Sequence, residues 1–232
     1  GPQTLAYSAC GAADLVELAD QVQNIEQMKR RLQRKLDRSR RATNPDNYAD
    51  NGTIRRGVKL THNKSNRYRR TQRELRYLQH CQTEIRKRQH IELANRLLAL
   101  GDCFYVEDMA WPSLTHRAKE TAISEKTGRI KRKKRFGKSV ANKAPATLIG
   151  ILEQKCNSLG LHGVMKVPTS LRASQYNHQS GEYTSKPLSQ RWNDMPDGER
   201  IQRDLYSAFL LQHYDPQAGN FDSDGHTRCR IC

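Results

Sequence analysis

The sequence contains no apolar run of the roughly 20 residues that a membrane-spanning helix needs, and no cleavable signal pattern opens it. Its 6 cysteines are scattered, unlike the disulfide framework of a small secreted protein, so we expect reduced thiols, several of them buried in the core. These absences exclude a protein with helical membrane spans and a disulfide scaffold. We therefore expect an intracellular protein without a membrane partner.

Acidic residues are also scarce relative to basic ones. The chain has 41 Lys and Arg against 24 Asp and Glu, which gives a formal net charge of +17 over 232 residues. Such self-repulsion costs stability unless a large anionic partner neutralises it. Nucleic acid is the favoured partner, because each phosphate contact releases condensed counterions. An anionic membrane surface is the competing partner, and the lack of apolar segments disfavours it.

Two amphipathic patterns in the first half of the chain predict a basic helical hairpin. Apolar residues at three- and four-residue spacing indicate helices over about 22–38 and 67–97, joined by a polar, partly mobile loop with a turn at Asn51-Gly52. A solvated surface is the alternative explanation of the charges, but both helices are depleted in acids, which favours polynucleotide contact. The residues assigned to that contact are Arg30, Arg34, Arg38, Arg69, Arg73 and Arg76.

The rest of the chain alternates strands and helices. An apolar strand, Cys103–Asp108, is followed by a basic loop over 112–142, a helix that ends at Gly160 and a strand at Val164–Val167. Together with one or two strands over 4–18, this order predicts an α/β core. The basic residues of the loop are predicted to bind a nucleic-acid backbone, and a nuclear-localisation signal or plain disorder are the alternatives. These residues are Lys131, Arg132, Lys133, Lys134, Arg135 and Lys138.

Two acids stand at positions where a metal-dependent nuclease would place them. Glu107 closes the strand Cys103–Asp108, and Asp204 follows Arg203 at the head of a predicted helix. Phosphodiester hydrolysis is catalysed by two divalent ions about 4 Å apart, and hard cations such as Mg²⁺ take oxygen ligands. Each acid alone has a structural explanation, since Glu107 can simply end a strand and Asp204 can favour a helix start. Together, in so basic a chain, they indicate a metal site.

The ordered set of motifs resembles the RuvC nuclease domain of transposon-encoded TnpB proteins and the related type V CRISPR effectors. The shared features are the strand ending at Glu107, the basic loop, the helix and strand, the pair Ser174-Gln175, and Arg203-Asp204 before a small-residue helix. The resemblance implies an RNase H-like fold, a mixed sheet flanked by helices, in which three acids hold Mg²⁺ or Mn²⁺. It implies a guide RNA and a target DNA as partners, and a prokaryotic cytoplasmic protein that joins the nucleoid when bound to DNA.

Residue roles follow from the same resemblance. Glu107 corresponds to the family's second catalytic acid and metal ligand, and Asp204 to the third. Ser174, Gln175 and Arg203 correspond to nucleic-acid-contacting positions.

The resemblance covers roughly residues 1–211 and divides the chain into four parts. Residues 1–18 begin the RuvC-like core, 19–98 form the basic helical hairpin insertion, 99–215 complete the core and 216–232 are a C-terminal tail. The third part includes the basic loop 112–142 and a degenerate zinc-ribbon region over 174–200.

The sequence departs from the family pattern at the first acid and at the zinc site. Either the first acid lies before Gly1 in a longer protein or it has been lost, and Asp14 and Asp20 lack its strand context. No cysteine lies between Ser174 and Arg203, so we expect no structural zinc there, although His226, Cys229 and Cys232 have ligand-like spacing. Secondary candidates for a remaining acidic ligand are Asp108, Asp194, Asp197 and Asp215.

Two further function classes remain open. An RNA-guided protein that has lost nuclease activity could bind DNA on the same scaffold as a repressor or targeting factor. A basic RNA-packaging or ribosome-associated protein would need neither Glu107 nor Asp204.

Overall fold

The computed structural model describes residues 3–115, 123, 128, 137–187, 189–195 and 198–221, which form helices and short strands. The helices are α1 (Glu26–Thr43), α2 (Asn66–Leu98), α3 (Trp111–Thr115), α4 (Gly137–Lys143), α5 (Pro145–Leu159) and α6 (Arg203–Gln212). The strands are β1 (Thr4–Ala9), β2 (Ala12–Glu17), β3 (Cys103–Glu107), β4 (Gly163–Val167), β5 (Tyr176–Asn177), β6 (Glu182–Tyr183), β7 (Trp192–Asp194), β8 (Arg200–Gln202), β9 (Tyr214–Asp215) and β10 (Asn220–Phe221).

The chain divides into two compact units. The smaller unit is residues 20–87, and the larger one is residues 1–19 with residues 88–232. The division lies inside α2, so this helix contributes its first part to the smaller unit and its last turns to the larger.

The smaller unit is an antiparallel pair of helices. The Ser39 and Ser65 hydroxyls lie 3.0 Å apart at one end, and Gln82 Nε2 donates to the Gln23 carbonyl at 3.0 Å toward the other. Leu32 and Leu36 are buried, as expected for the apolar stripe of α1. The apolar pattern predicts a helix from about residue 22. The observed helix begins at Glu26, so Val22 and Ile25 lie before its first turn.

The connection between α1 and α2 is held by asparagine side chains, where the sequence predicts a partly mobile loop. Asn44 is 2% exposed, accepts from the Asn63 backbone N–H at 2.8 Å and donates to the Asn63 carbonyl at 2.9 Å. Asn47 makes the same pair of bonds to Thr61, at 2.8 and 2.6 Å. Each amide therefore satisfies one backbone donor and one backbone acceptor, as an added strand would.

The core of the larger unit gathers side chains that are distant in sequence. The hairpin of β1 and β2 turns at Gly11, whose φ is +75°. Leu5, Tyr7 and Val16 of this hairpin pack against the last turns of α2 and one face of α5. The buried members of the cluster are Leu18, Leu93, Ala94, Leu97, Leu148, Leu152 and Cys156.

The strands β3 and β4 pair in parallel, and the chain that connects them includes α4 and α5. Cys103 faces Gly163 and Glu107 faces Val167 at the two ends of the ladder. The crossover helix α5 has Pro145 in its first turn, where no backbone N–H is required, and ends at Gly160 with φ +68°, both as predicted. This strand, helix, strand unit confirms the mixed α and β character expected of the chain.

A second cluster forms around α6. Tyr206 and Leu210 of this helix pack with Ala173, Met195 and Phe221. The region 174–200 contains the hairpins β5–β6 and β7–β8, and the chain stays packed to Phe221 in β10, beyond the residue at which a tail was predicted.

The predicted mixed sheet is present only as separate ladders. Within the described ranges every sheet has two strands, four antiparallel and one parallel. Helices occupy both ends of the predicted basic loop, as α3 and α4. Across these same ranges no helix is long and apolar enough to cross a membrane.

Among the four cysteines that the structure describes, one differs from expectation. Cys81, Cys103 and Cys156 are free, and Cys156 is fully buried as a core residue. Cys10 is disulfide-bonded, whereas reduced thiols were expected. Cysteine spacing alone does not show which sulfurs meet in space.

The asparagine contacts predict a stability effect. We expect Asn44→Ala to destabilise the smaller unit by about 1–3 kcal/mol, because it leaves the Asn63 N–H without its acceptor. Asn63→Ala is the matched control, since Asn63 uses its backbone in these bonds, and should cost no more than about 0.5 kcal/mol. Urea unfolding with amide exchange at Thr61 and Asn63 measures both, and equal effects would contradict the role assigned to Asn44.

Candidate active site

Glu107 lies at the end of β3, on the face of that strand against which α6 packs. Side chains alternate along a strand, so Tyr105 and Glu107 share a face and Phe104 lies on the other. Phe104 packs into the core with α5, whereas the Tyr105 ring meets the Tyr214 ring edge-on, just beyond α6, at 6.0 Å between centroids. Glu107 therefore projects on the same side of β3 as α6, the helix that carries Asp204.

The environment of Glu107 disfavours its charged form. The side chain is half-buried, and burial raises the pKa of its carboxyl above the ordinary value. No cation within the described part of the chain pairs with it. A carboxylate that is desolvated and has no partner gains stability from a bound cation, which is the property that a metal ligand needs.

A shallow recess of about 180 Å³ at the end of β3 is lined by Glu107 together with residues of α5 and β4, and no described residue of α6 lines it. Asp108 and Trp111 follow Glu107 at its rim, Glu153 reaches it from α5, and Lys166 reaches it from β4. Lys166 Nζ lies 4.0 Å from Asp108, with both side chains exposed, so this pair adds little stability. The recess is open to water, and polar and apolar groups contribute about equally to its lining.

Asp204 occupies the first turn of α6. Gln202 caps the helix, its Oε1 accepting from the N–H groups of Asp204 at 2.6 Å and Leu205 at 2.8 Å, and its Nε2 lies 3.4 Å from Asp204 Oδ2. Burial raises the pKa of Asp204, but hydrogen bonds and positive charges around it, of which Gln202 and Arg191 make the smaller contributions, bring that pKa below its ordinary value. The net effect keeps Asp204 ionised. The positive end of the helix dipole acts in the same direction.

The donor set fits Mg²⁺ or Mn²⁺. Glu107 and Asp204 offer carboxylate oxygens on neighbouring elements of one unit, and hard cations prefer such ligands. Among the residues that the structure describes, no group of three acidic, histidine or cysteine side chains converges to hold a metal ion. The two acids are thus placed on adjoining elements, without a third described ligand beside them.

The secondary acids have other partners. Asp194 is exposed and pairs with Arg200 at 3.3 Å, and Asp215 Oδ1 accepts from the Gln217 N–H at 2.8 Å. Asp14 Oδ1 accepts from the Leu15 N–H at 2.7 Å in β2. Asp197 lies outside the described residues.

The residues assigned to nucleic-acid binding lie in several different elements, and some of them lie outside the described residues. All six arginines of the two helices, at 30, 34, 38, 69, 73 and 76, are exposed. Ser174 and Gln175 lie in the turn before β5, and Arg203 Nη1 donates to the Pro187 carbonyl at 3.3 Å. Lys131, Arg132, Lys133, Lys134 and Arg135 lie outside the described residues, as does the side chain of Lys138, whose backbone is in α4.

Two side-chain arrangements in the region 174–203 are not predictable from the sequence. His178 has its Nδ1 2.8 Å from the hydroxyl of the buried Tyr206. Lys186 donates to the buried Asn193 at 2.8 Å, next to Arg203. Neither pair forms a sequence motif, because each joins residues on separate elements.

No protein-family model matches the chain, and no curated protein matches it significantly.

The burial of Glu107 predicts a stability change of defined sign. Because its folded-state pKa is raised, ionisation costs stability above the unfolded-state pKa of about 4.3, and the cost vanishes below it. We expect Glu107→Gln to be more stable than the unaltered chain at pH 7 and equally stable near pH 4, as measured by thermal unfolding. Glu182→Gln, at an exposed position, is the control, and a pH-independent difference at Glu107 would contradict the prediction.

Proposed function

We propose that this chain is the RuvC-like nuclease module of an RNA-guided DNA endonuclease, on an RNase H-like fold. The observation that carries the proposal is the placement of two acids. Glu107 projects from β3 on the side where α6 packs, and Asp204 stands in the first turn of α6.

The opposite electrostatic settings of the two acids support a shared metal site. Asp204 is held ionised, so it can bind a cation at neutral pH without losing a proton. Glu107 is destabilised as a bare anion by burial, so a cation that neutralises it recovers that cost. A surface carboxylate with a purely structural role does not require the burial seen at Glu107.

The basic helices support a nucleic-acid partner. Arg30, Arg34 and Arg38 recur every four residues on α1, which places them in one row along an exposed face. No described carboxylate pairs with any of the three, whereas Arg41 on the same helix pairs with Asp37 at 2.9 Å. A row of unneutralised guanidinium groups fits successive phosphates of a guide RNA.

The proposed reaction is hydrolysis of a DNA phosphodiester. Two bound Mg²⁺ ions would supply Lewis acidity, activating a water and stabilising the leaving 3′ oxygen. Glu107 and Asp204 would fix the position of those ions, and the Gln202 cap would keep Asp204 oriented through the hydrogen bonds described above. Phosphate contacts grip the strands without base specificity, so base pairing with the guide RNA would choose the target.

Cleavage by the full-length protein, purified with its co-expressed RNA, tests this function. We expect Mg²⁺-dependent cutting of single-stranded DNA that falls by at least about 100-fold in Glu107→Gln and in Asp204→Asn, because metal ions supply several kcal/mol of charge stabilisation in the transition state. RNA binding should persist in both variants. Glu153→Gln, which changes another acid at the same recess, is the matched control and should still cut.

The same experiment separates the alternatives. Tight RNA and DNA binding with no cutting by the unaltered protein would indicate an inactive RNA-guided DNA-binding protein, acting as a repressor or targeting factor. Unchanged activity in both acid variants would contradict a metal site and favour a basic RNA-packaging protein.

The arginine row predicts a salt effect on RNA binding. Replacing Arg30, Arg34 and Arg38 with Gln should weaken binding to unrelated RNA sequences equally and lower the slope of log K against log salt by about 2, since each lost phosphate contact accounts for about 0.7. Filter binding at several salt concentrations measures this slope.

A second triple variant controls for net charge. Replacing Lys155, Arg172 and Arg200 with Gln removes the same charge from the larger unit. Equal slopes in the two triple variants would show that overall charge, and not the α1 row, binds RNA.

A further inference from the structure

The loop between β6 and α6 brings two cations together without an acid. Lys186 Nζ donates to Asn193 Oδ1 at 2.8 Å, and the charge of Arg203 acts on Lys186 at close range. No carboxylate in the described part of the chain forms an ion pair with either side chain. Burial and then the charge of Arg203 lower the pKa of Lys186, which reports the cost of this arrangement.

Hydrogen-bond donors at the same place lack acceptors. Asn193 is 2% exposed, and its Nδ2 has no partner among the described residues. The Nε of Arg203 is likewise buried without a described partner, while Nη1 reaches only the Pro187 carbonyl at 3.3 Å. An unpaired buried donor costs about 1–3 kcal/mol, so an anion that accepts from these groups would be stabilised.

The N-terminus of α6 does not account for the site. The Arg203 N–H donates to the Arg191 carbonyl at 2.8 Å, and the next two N–H groups donate to Gln202 Oε1. The donors that remain are side-chain groups of Lys186, Asn193 and Arg203. They combine a point charge, an amide and a guanidinium fork, which suits the oxygens of a phosphate.

We propose that Lys186, Asn193 and Arg203 form a binding site for one phosphate group of a polynucleotide backbone. The positive charge and the unpaired donors indicate that the ligand is an anion. That this anion is a phosphate of a polynucleotide rests on the proposed function. Arg203 directly precedes Asp204, so a phosphate held here would fix the strand within a residue or two of the proposed metal ligand. The site would thus position the DNA strand and take no part in the chemical step.

Binding of single-stranded dT12 without divalent metal tests the site independently of cleavage. We expect Lys186→Met to weaken binding by about 3–10-fold and to lower the salt slope by about 0.7, the value for one lost phosphate contact. Lys186→Arg, which keeps the charge, should restore most of the affinity. Arg200→Met is the matched control in the neighbouring hairpin, because Arg200 is already paired with Asp194 at 3.3 Å and lies over the Trp192 ring.

Inorganic phosphate supplies a direct readout. NMR signals of the Asn193 side-chain amide and the Arg203 Nε–H should shift on titration with phosphate in the unaltered chain and not in Lys186→Met. Equal losses in Lys186→Met and Arg200→Met, or phosphate shifts spread evenly over exposed arginines, would overturn the site. Binding of an oligoglutamate peptide in preference to dT12 would overturn the assignment to a polynucleotide. A chain that binds phosphate here but never cuts DNA would refute the proposed nuclease and leave this site standing.

Discussion

The parallel pairing of β3 with β4 is the interaction on which the position of Glu107 depends. Its register places Glu107 opposite Val167, a residue with 1% exposure, so the end of the strand is anchored in the core. The crossover through α5 buries Phe104 on one face of β3 and thereby turns Tyr105 and Glu107 toward the other. A shift of the ladder by one residue would move the carboxylate away from α6.

The two units differ in how they carry their charged side chains. The smaller unit exposes rows of arginine on a hairpin whose connection is held by neutral asparagine amides. The larger unit keeps a few acids partly buried, Glu107 with a raised and Asp204 with a lowered pKa. The concentrated arginines and the buried Glu107 carboxylate each cost stability in the free protein, and an anionic polymer in the first case and a cation in the second would recover it.

Local signals account for what could be predicted. Apolar spacing located α1, α2 and α5, Gly160 ended α5 because it adopts a left-handed conformation, and Gly11 turned the first hairpin. The bonds of Asn44 and Asn47 could not be foreseen, since a polar segment looks the same whether its side chains face water or a backbone 14 to 19 residues away. The short ladders over 176–202 lack an alternating pattern, and the meeting of Lys186 with Asn193 depends on their packing. Glu107 and Asp204 could be chosen as candidates because each stands at the end of a regular element, and their role stays a prediction.

The central claim is that Glu107 and Asp204 share divalent metal. An anomalous-difference map from crystals of the full-length protein containing Mn²⁺ tests it most directly. The account predicts density bridging the two carboxylates, with metal–oxygen distances of about 2.0–2.3 Å. Mn²⁺ bound elsewhere, or at only one of the two acids, would contradict it.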